Sequence, residues 1–114
     1  AGWRIPHGGR NNIWAKALGI KTSAVYTFDK TNKGIQQGGV LGEDENIWYP
    51  AAGMIDNNSG ALTKTGTGGT CQSADPYNNT SYYAQVMYLT TNGRFYVYYN
   101  GFRARAYSVR CIKE

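Results

Sequence analysis

Tyr83-Ala84-Gln85-Val86-Met87-Tyr88-Leu89-Thr90, then Thr91-Asn92-Gly93, then Arg94-Phe95-Tyr96-Val97-Tyr98-Tyr99-Asn100, is the stretch on which the fold turns. Two runs rich in aromatic and β-branched residues flank an Asn-Gly step. Such runs suit a pleated, half-buried surface, and Asn-Gly tolerates the positive φ values of a tight hairpin. The reading is a pair of antiparallel strands over 83–90 and 94–100, with Gly101 ending the second. Successive side chains point to opposite faces of a strand. With Phe95 and Val97 facing the core, Tyr96 and Tyr98 face the other side.

Outward from this hairpin the signals are shorter. Ala106 to Ile112 reads as a final strand, and Cys71 to Ala74 as a short one. Between them, Asp75-Pro76-Tyr77-Asn78-Asn79 is a turn. Asp56-Asn57-Asn58-Ser59-Gly60 is another, and Thr63 to Thr70 alternates Thr with Gly. The apolar run from Ile47 to Met54 reads as a buried strand entering a tight turn. Residues 20–46 read as irregular loops with one or two short strands, around Ala24-Val25-Tyr26 and Gly39-Val40-Leu41. Asn11 or Asn12 caps a helix from Ile13 to about Leu18 that Gly19 ends, with Ile13, Ala17 and Leu18 on its apolar face. Gly2 to Pro6 is extended, since Pro6 disfavours helix in the residue before it. The expected class is α+β: one or two short helices, a small antiparallel sheet and high loop content, in one domain over residues 1–114.

Composition narrows the function. Of 114 residues, 41% are apolar and only 17% charged, with 15 Gly and 10 Tyr. No apolar run reaches the ~20 residues of a membrane-spanning helix, so no membrane insertion is expected. The net charge is +5, but the cations are scattered singly, and only Arg103, Arg105 and Arg110 approach one another. That pattern argues against a nucleic-acid partner. The acidic cluster Glu43-Asp44-Glu45 lacks the spacing of a calcium loop and reads as a solvated loop. Cys71 and Cys111 could pair, or could both be buried thiols. The chain starts at Ala1 with neither Met nor a signal peptide, and reads as a processed or excised piece.

Little here suits catalysis. His7 is the single histidine, in a Pro-His-Gly-Gly loop with no partner nearby in sequence. Gly66-Thr67-Gly68-Gly69 lacks the Gly-Lys-Ser/Thr ending of a phosphate loop. Asn57-Asn58-Ser59, Asn78-Asn79-Thr80 and Asn79-Thr80-Ser81 match a glycosylation sequon, as an Asn-rich chain often will. The expectation is no enzyme, no metal and no cofactor. The informative feature is tyrosine placement: eight of the ten lie at or after position 77, interleaved with Asn, Ser, Thr and Arg. Tyr offers large amphipathic contact area at low entropic cost, and Asn and Ser offer adaptable hydrogen bonds. Tyr and Arg also dominate binding hot spots. The bland alternative is a Tyr-rich strand packed under a loop.

Three motifs add a resemblance. Gly2-Trp3-Arg4-Ile5-Pro6, Trp48-Tyr49-Pro50-Ala51-Ala52-Gly53 and Ser108-Val109-Arg110-Cys111-Ile112 resemble, in order, the opening, core and closing motifs of the Fibrobacter-type major paralogous domains. The resemblance implies a C-type-lectin-like fold related to the formylglycine-generating-enzyme family. It also implies export, to a bacterial cell surface, a fimbrial tip or a phage tail. Departures stand beside it. Cys71-Gln72-Ser73-Ala74 occupies the place of an aromatic-Trp-Ser-Ser strand, and Ala106-Tyr107-Ser108 that of a Gly-Phe-Ser, which gives Tyr107 a core role. Family openings often carry a cysteine just upstream of this chain's start, a further candidate partner for Cys111. The catalytic cysteines of formylglycine-generating enzymes and the calcium–sugar motifs of true C-type lectins are missing.

Similar lectin-like domains are targets of diversity-generating retroelements, which scatter Asn codons into Tyr, Ser, Asp, Arg and related residues. The resemblance therefore implies a variable ligand-binding region over 71–107. Its scaffold positions would be Met87, Leu89, Phe95, Val97, Arg103 and Tyr107. Its ligand-binding positions would be Tyr77, Asn78, Tyr82, Tyr88, Tyr96, Tyr98, Tyr99, Asn100, Phe102 and Arg105. The expected function is a non-catalytic adhesin or receptor-binding domain, with a protein or glycan on another cell or host surface as ligand. The alternative is a structural fimbrial subunit, with its Tyr face buried against a neighbouring subunit.

Overall fold

A computed structural model describes residues 2–38, 46–79 and 81–113. Gly39-Val40-Leu41 and Glu43-Asp44-Glu45 lie outside the described residues, as does Thr80 of the second and third sequons. In chain order the elements are β1 (Trp3–Arg4), α1 (Ile13–Leu18), β2 (Ser23–Val25), β3 (Phe28–Asp29), β4 (Gly34–Gly38), β5 (Asn46–Pro50), β6 (Met54–Ile55) and β7 (Leu62–Thr63). Then come β8 (Gly68–Pro76), a 3₁₀ turn (Tyr77–Asn79), β9 (Tyr83–Thr90), β10 (Arg94–Phe102) and β11 (Ile112–Lys113). The architecture is mostly antiparallel sheet with one short α-helix, compatible with the α+β class.

The hairpin forms where its chemistry places it. β9 starts and ends at the expected residues, and β10 follows the Asn-Gly turn. Four strands pair in the order β2-β10-β9-β8, and a second sheet runs β3-β4-β5. Phe95, Val97, Leu89 and Met87 are buried, with Ile35, Tyr49, Trp14 and Leu18 in the same core. The Phe95 ring meets Tyr49 edge-on at 4.8 Å, an arrangement favoured by the ring quadrupoles.

α1 also follows its signals. The Asn12 side chain accepts from the Ala15 amide, and Gly19 closes the helix in the left-handed conformation, φ 68°, which costs a residue without Cβ least. The apolar face is broader than expected: Trp14 and Ala15 are buried with Ala17 and Leu18, whereas Ile13 is only partly buried.

Four expectations are corrected. Gly101 does not end its strand, because β10 continues to Phe102. The glycine is there for space: a Cβ at 101 would stand 2.5 Å from the Tyr107 hydroxyl oxygen. The strand expected at 71–74 is the middle of the nine-residue β8, which also absorbs Asp75 and Pro76. Residues 20–46 hold β2, β3 and the whole of β4, more strand than expected, because β4 pairs with both neighbours. The final strand of 106–112 shrinks to β11, preceded by isolated bridges at Ala106 and Ser108. The last segment pairs with three different elements in turn, so it never builds one ladder.

A fifth correction bears on the binding face. Tyr96 pairs with Tyr88, but Tyr99 pairs with Val86. Val97 and Tyr98 together therefore oppose Met87, which is a β-bulge. Its backbone groups are satisfied from afar. The Val97 amide donates to the Thr22 carbonyl at 2.9 Å, and the Val97 carbonyl accepts from Asn12 Nδ2 at 2.8 Å. The extra residue resets the alternation, so Tyr96 and Tyr98 do not share one row.

Candidate functional site

The bulge divides the tyrosines into separate groups. On one side of the β9–β10 ladder, Tyr88, Tyr96 and Tyr99 form a triad, with ring centroids 4.9–6.1 Å apart. Tyr88 and Tyr96 sit directly opposite across the strands, their rings within 13° of parallel. Tyr99 is 37% exposed. Lys64 Nζ donates to the Tyr88 hydroxyl at 3.2 Å and lies 5.6 Å from the centre of its ring.

Tyr98 belongs elsewhere. Its ring is 4.9 Å from that of Tyr77, and the Arg10 guanidinium lies 4.5 Å from its centre. Tyr77 opens the 3₁₀ turn, and Asn78 follows it, exposed, with φ 52°. A third group joins the Tyr83 and Phe102 rings at 5.3 Å, with Arg105 4.9 Å from the centre of Phe102. Tyr82 stands apart, 76% exposed. Eight of the ten expected positions thus lie on three aromatic groups and one isolated ring, not on one continuous face, and the other two, Asn78 and Asn100, are exposed.

Beside the triad is a cleft of about 80 Å³, lined by Met54, Lys64, Thr70, Val86, Tyr88, Tyr99, Asn100, Gly101, Arg105 and Tyr107. Tyr88, Tyr99, Asn100 and Arg105 were expected site residues. Lys64 and Thr70 were not, since they lie in the Thr/Gly-rich segment and carry no local signal for binding. Lys64 holds a left-handed backbone, φ 61°, uncommon for a residue with a side chain. Arg105 is positioned by the Asp56 turn: its Nε donates to Asn57 Oδ1 at 3.1 Å and lies 3.9 Å from Asp56 Oδ1. Tyr107, expected in a core role, is only half-buried and lies outside the hydrophobic core. It donates to the Phe102 carbonyl at 2.9 Å, and burial raises its hydroxyl pKa against the opposing pull of Arg105. Arg103, also expected as scaffold, is exposed and donates to the Ser81 carbonyl at 3.3 Å.

Other candidate groups stay apart from this site. His7 is exposed, with Nδ1 3.4 Å from the Asp75 carboxylate. Cys71 and Cys111 are both free thiols, the first buried and the second exposed. Neither expected arrangement, a bond between them or two buried thiols, is found. Among the described residues no cluster of His, Cys, Asp or Glu side chains is placed to hold a metal ion, and no helix is long and apolar enough to cross a membrane.

The three motifs that are far apart in sequence converge. Trp3 and Arg4 pair with Lys113 and Ile112. Arg110 donates to the Trp48 carbonyl at 2.8 Å and lies 5.4 Å from the centre of the Tyr49 ring. No family model, no curated protein and no solved structure matches this chain.

Proposed function

We propose that this chain is a non-catalytic ligand-binding domain of an exported bacterial or phage surface protein, with a C-type-lectin-like fold. The observation that carries the reading is the Tyr88–Tyr96–Tyr99 triad, set on the rigid β9–β10 ladder beside a polar cleft. Rigid aromatic area next to a few polar groups is the usual make-up of a recognition site. The convergence of the opening, middle and closing motifs supports the lectin-like reading of the fold. Tyr77 with Tyr98, and Tyr83 with Phe102, extend the surface as secondary patches. In the retroelement form of the proposal, sequence differences between close relatives fall at these positions and spare Phe95 and Val97.

The test uses retention on a glycan array and on intact bacterial and animal cells. The protein should be retained on a subset of them. Tyr96→Ala and Tyr99→Ala should lower retention by tenfold or more, while Tm stays within about 5 °C of the parent, as for partly exposed positions. Unchanged retention in both variants would overturn the reading. A parent that binds nothing but assembles with itself, and loses assembly in the variants, would replace it with the fimbrial-subunit role.

A further inference from the structure

We infer that the cleft beside the triad receives the carboxylate of an acidic sugar, a uronic or nonulosonic acid. The inference rests on the binding role proposed above and names the group that the site selects. Thr70 carries it. Its side chain is on β8 directly opposite Tyr88, so it projects onto the triad's face, and it is one of the groups lining the cleft. The residue is 4% exposed, and its Oγ1 is fully buried with no hydrogen-bond partner. Native structures rarely leave a buried hydroxyl unpaired, and one that is unpaired in a cleft asks for a partner from outside the chain.

Charge selects the partner. Lys64 and Arg105 both line the cleft. Among the described residues the carboxylate beside them is that of Asp56, which lies 3.9 Å from Arg105 and already accepts from the amides of Asn58 and Ser59. Among the described residues, two cations against one engaged carboxylate leave the cleft positive. An anionic oxygen group there would take a charge-assisted hydrogen bond from Lys64, which now donates to the Tyr88 hydroxyl. The Thr70 hydroxyl, closed off in the free protein, would donate to the same group once the entering ligand displaces the side chains over it.

Size and surroundings select the source. A cleft of about 80 Å³ holds a few atoms, not a whole ring. A carboxylate fits inside, and the pyranose that carries it would lie outside, against Tyr99. The C–H face of a pyranose suits an aromatic neighbour, and its hydroxyls suit Asn100 and the tyrosine hydroxyls. A net charge of +5 adds long-range attraction toward an acidic polysaccharide.

The experiment titrates the intact chain with sodium glucuronate, with glucose, and with a short Glu-containing peptide, followed by amide chemical shifts. Glucuronate should shift the amides around Lys64, Thr70 and Asn100, weaken as salt is raised, and exceed glucose by about tenfold in affinity, as expected for a charged hydrogen bond. Thr70→Val should raise the Tm of the free protein by about 4 °C, because it removes an unpaired buried hydroxyl. The same variant should weaken glucuronate several-fold, and Lys64→Gln should weaken it by about tenfold. A Thr70→Val variant that is stabilised but binds glucuronate as before would overturn the inference. So would equal affinity for glucose, or binding of the peptide without glucuronate. Each of those results can occur while Tyr96→Ala still abolishes surface retention, so this inference can fail with the binding role intact.

Discussion

Gly101 shows how one residue can look like punctuation and act as a spacer. Between Asn100 and Phe102 it interrupts an aromatic run, yet the strand passes straight through it. A Cβ there would also stand 2.9 Å from Tyr107 Cζ and 3.3 Å from Val86 Cγ1. Gly101→Ala should therefore cost about 1–3 kcal/mol through overpacking, read as a lower urea midpoint. Adding Tyr107→Phe removes the nearest atom and should recover part of the loss, so the double-variant cycle should show favourable coupling. Additive costs would mean that the hydroxyl is not the obstacle. The two cysteines differ as sharply. Burial pushes the Cys71 thiol above its ordinary pKa, only partly offset by Arg110, and Cys111 is exposed. Thiolate is the reactive form, so iodoacetamide should label Cys111 in the native protein and Cys71 only after unfolding. Equal native labelling by mass spectrometry would contradict this placement.

At the scale of elements, two turns depend on aspartates. The Asp29 carboxylate accepts from the amides of Thr31 and Asn32 and from the Asn32 side chain, and ties the β3–β4 connection. Asp56 accepts from the amides of Asn58 and Ser59 and shapes the turn that holds Arg105. The Asn32 amide is the main cause that holds Asp29 below its ordinary value of 3.8. The Ser59 amide is the main cause for Asp56, whose ordinary value is the same. A carboxyl group depressed on folding stabilises the native state above its unfolded pKa, and that contribution is lost as pH falls through the folded value. Tm should thus hold between pH 7 and 5 as far as these groups decide it, then fall below about pH 4. The Asp29→Asn, Asp56→Asn double variant should show a shallower fall, measured by calorimetry across that range. The helix cap and the hairpin, by contrast, were legible in the sequence, because Asn at a cap and Asn-Gly in a turn act through bonds within a few residues.

Across the whole molecule, Asn12 does what no local rule foresees. It caps α1 through Oδ1, and its Nδ2 donates to the carbonyls of Gly9 and Val97, the second 85 positions away in the chain. Asn12→Ala should cost more than a simple cap, about 2–4 kcal/mol, since a buried carbonyl of the bulge also loses a donor. Asn12→Asp keeps the cap oxygen but loses the amide donors, and should recover only part of that loss by denaturant unfolding. An alanine cost of a simple cap alone would show that the tie to the bulge contributes nothing. That same tie explains the splitting of the tyrosines, because the bulge carbonyl that Asn12 satisfies lies between Tyr96 and Tyr98.

By itself the sequence determined the helix from Ile13 to Leu18, the hairpin about Asn92-Gly93, the turn at 56–60 and the inward places of Phe95 and Val97. Each follows from periodicity or turn chemistry, which act between near neighbours. Tertiary structure alone decided the bulge at Val97–Tyr98, the run of β10 through Gly101, and the cleft that joins Lys64, Thr70, Tyr99 and Arg105. Each of these depends on which groups far apart in the chain come within hydrogen-bonding or van der Waals distance. A period-two pattern carries no mark of the single extra residue that turns Tyr98 away from Tyr96.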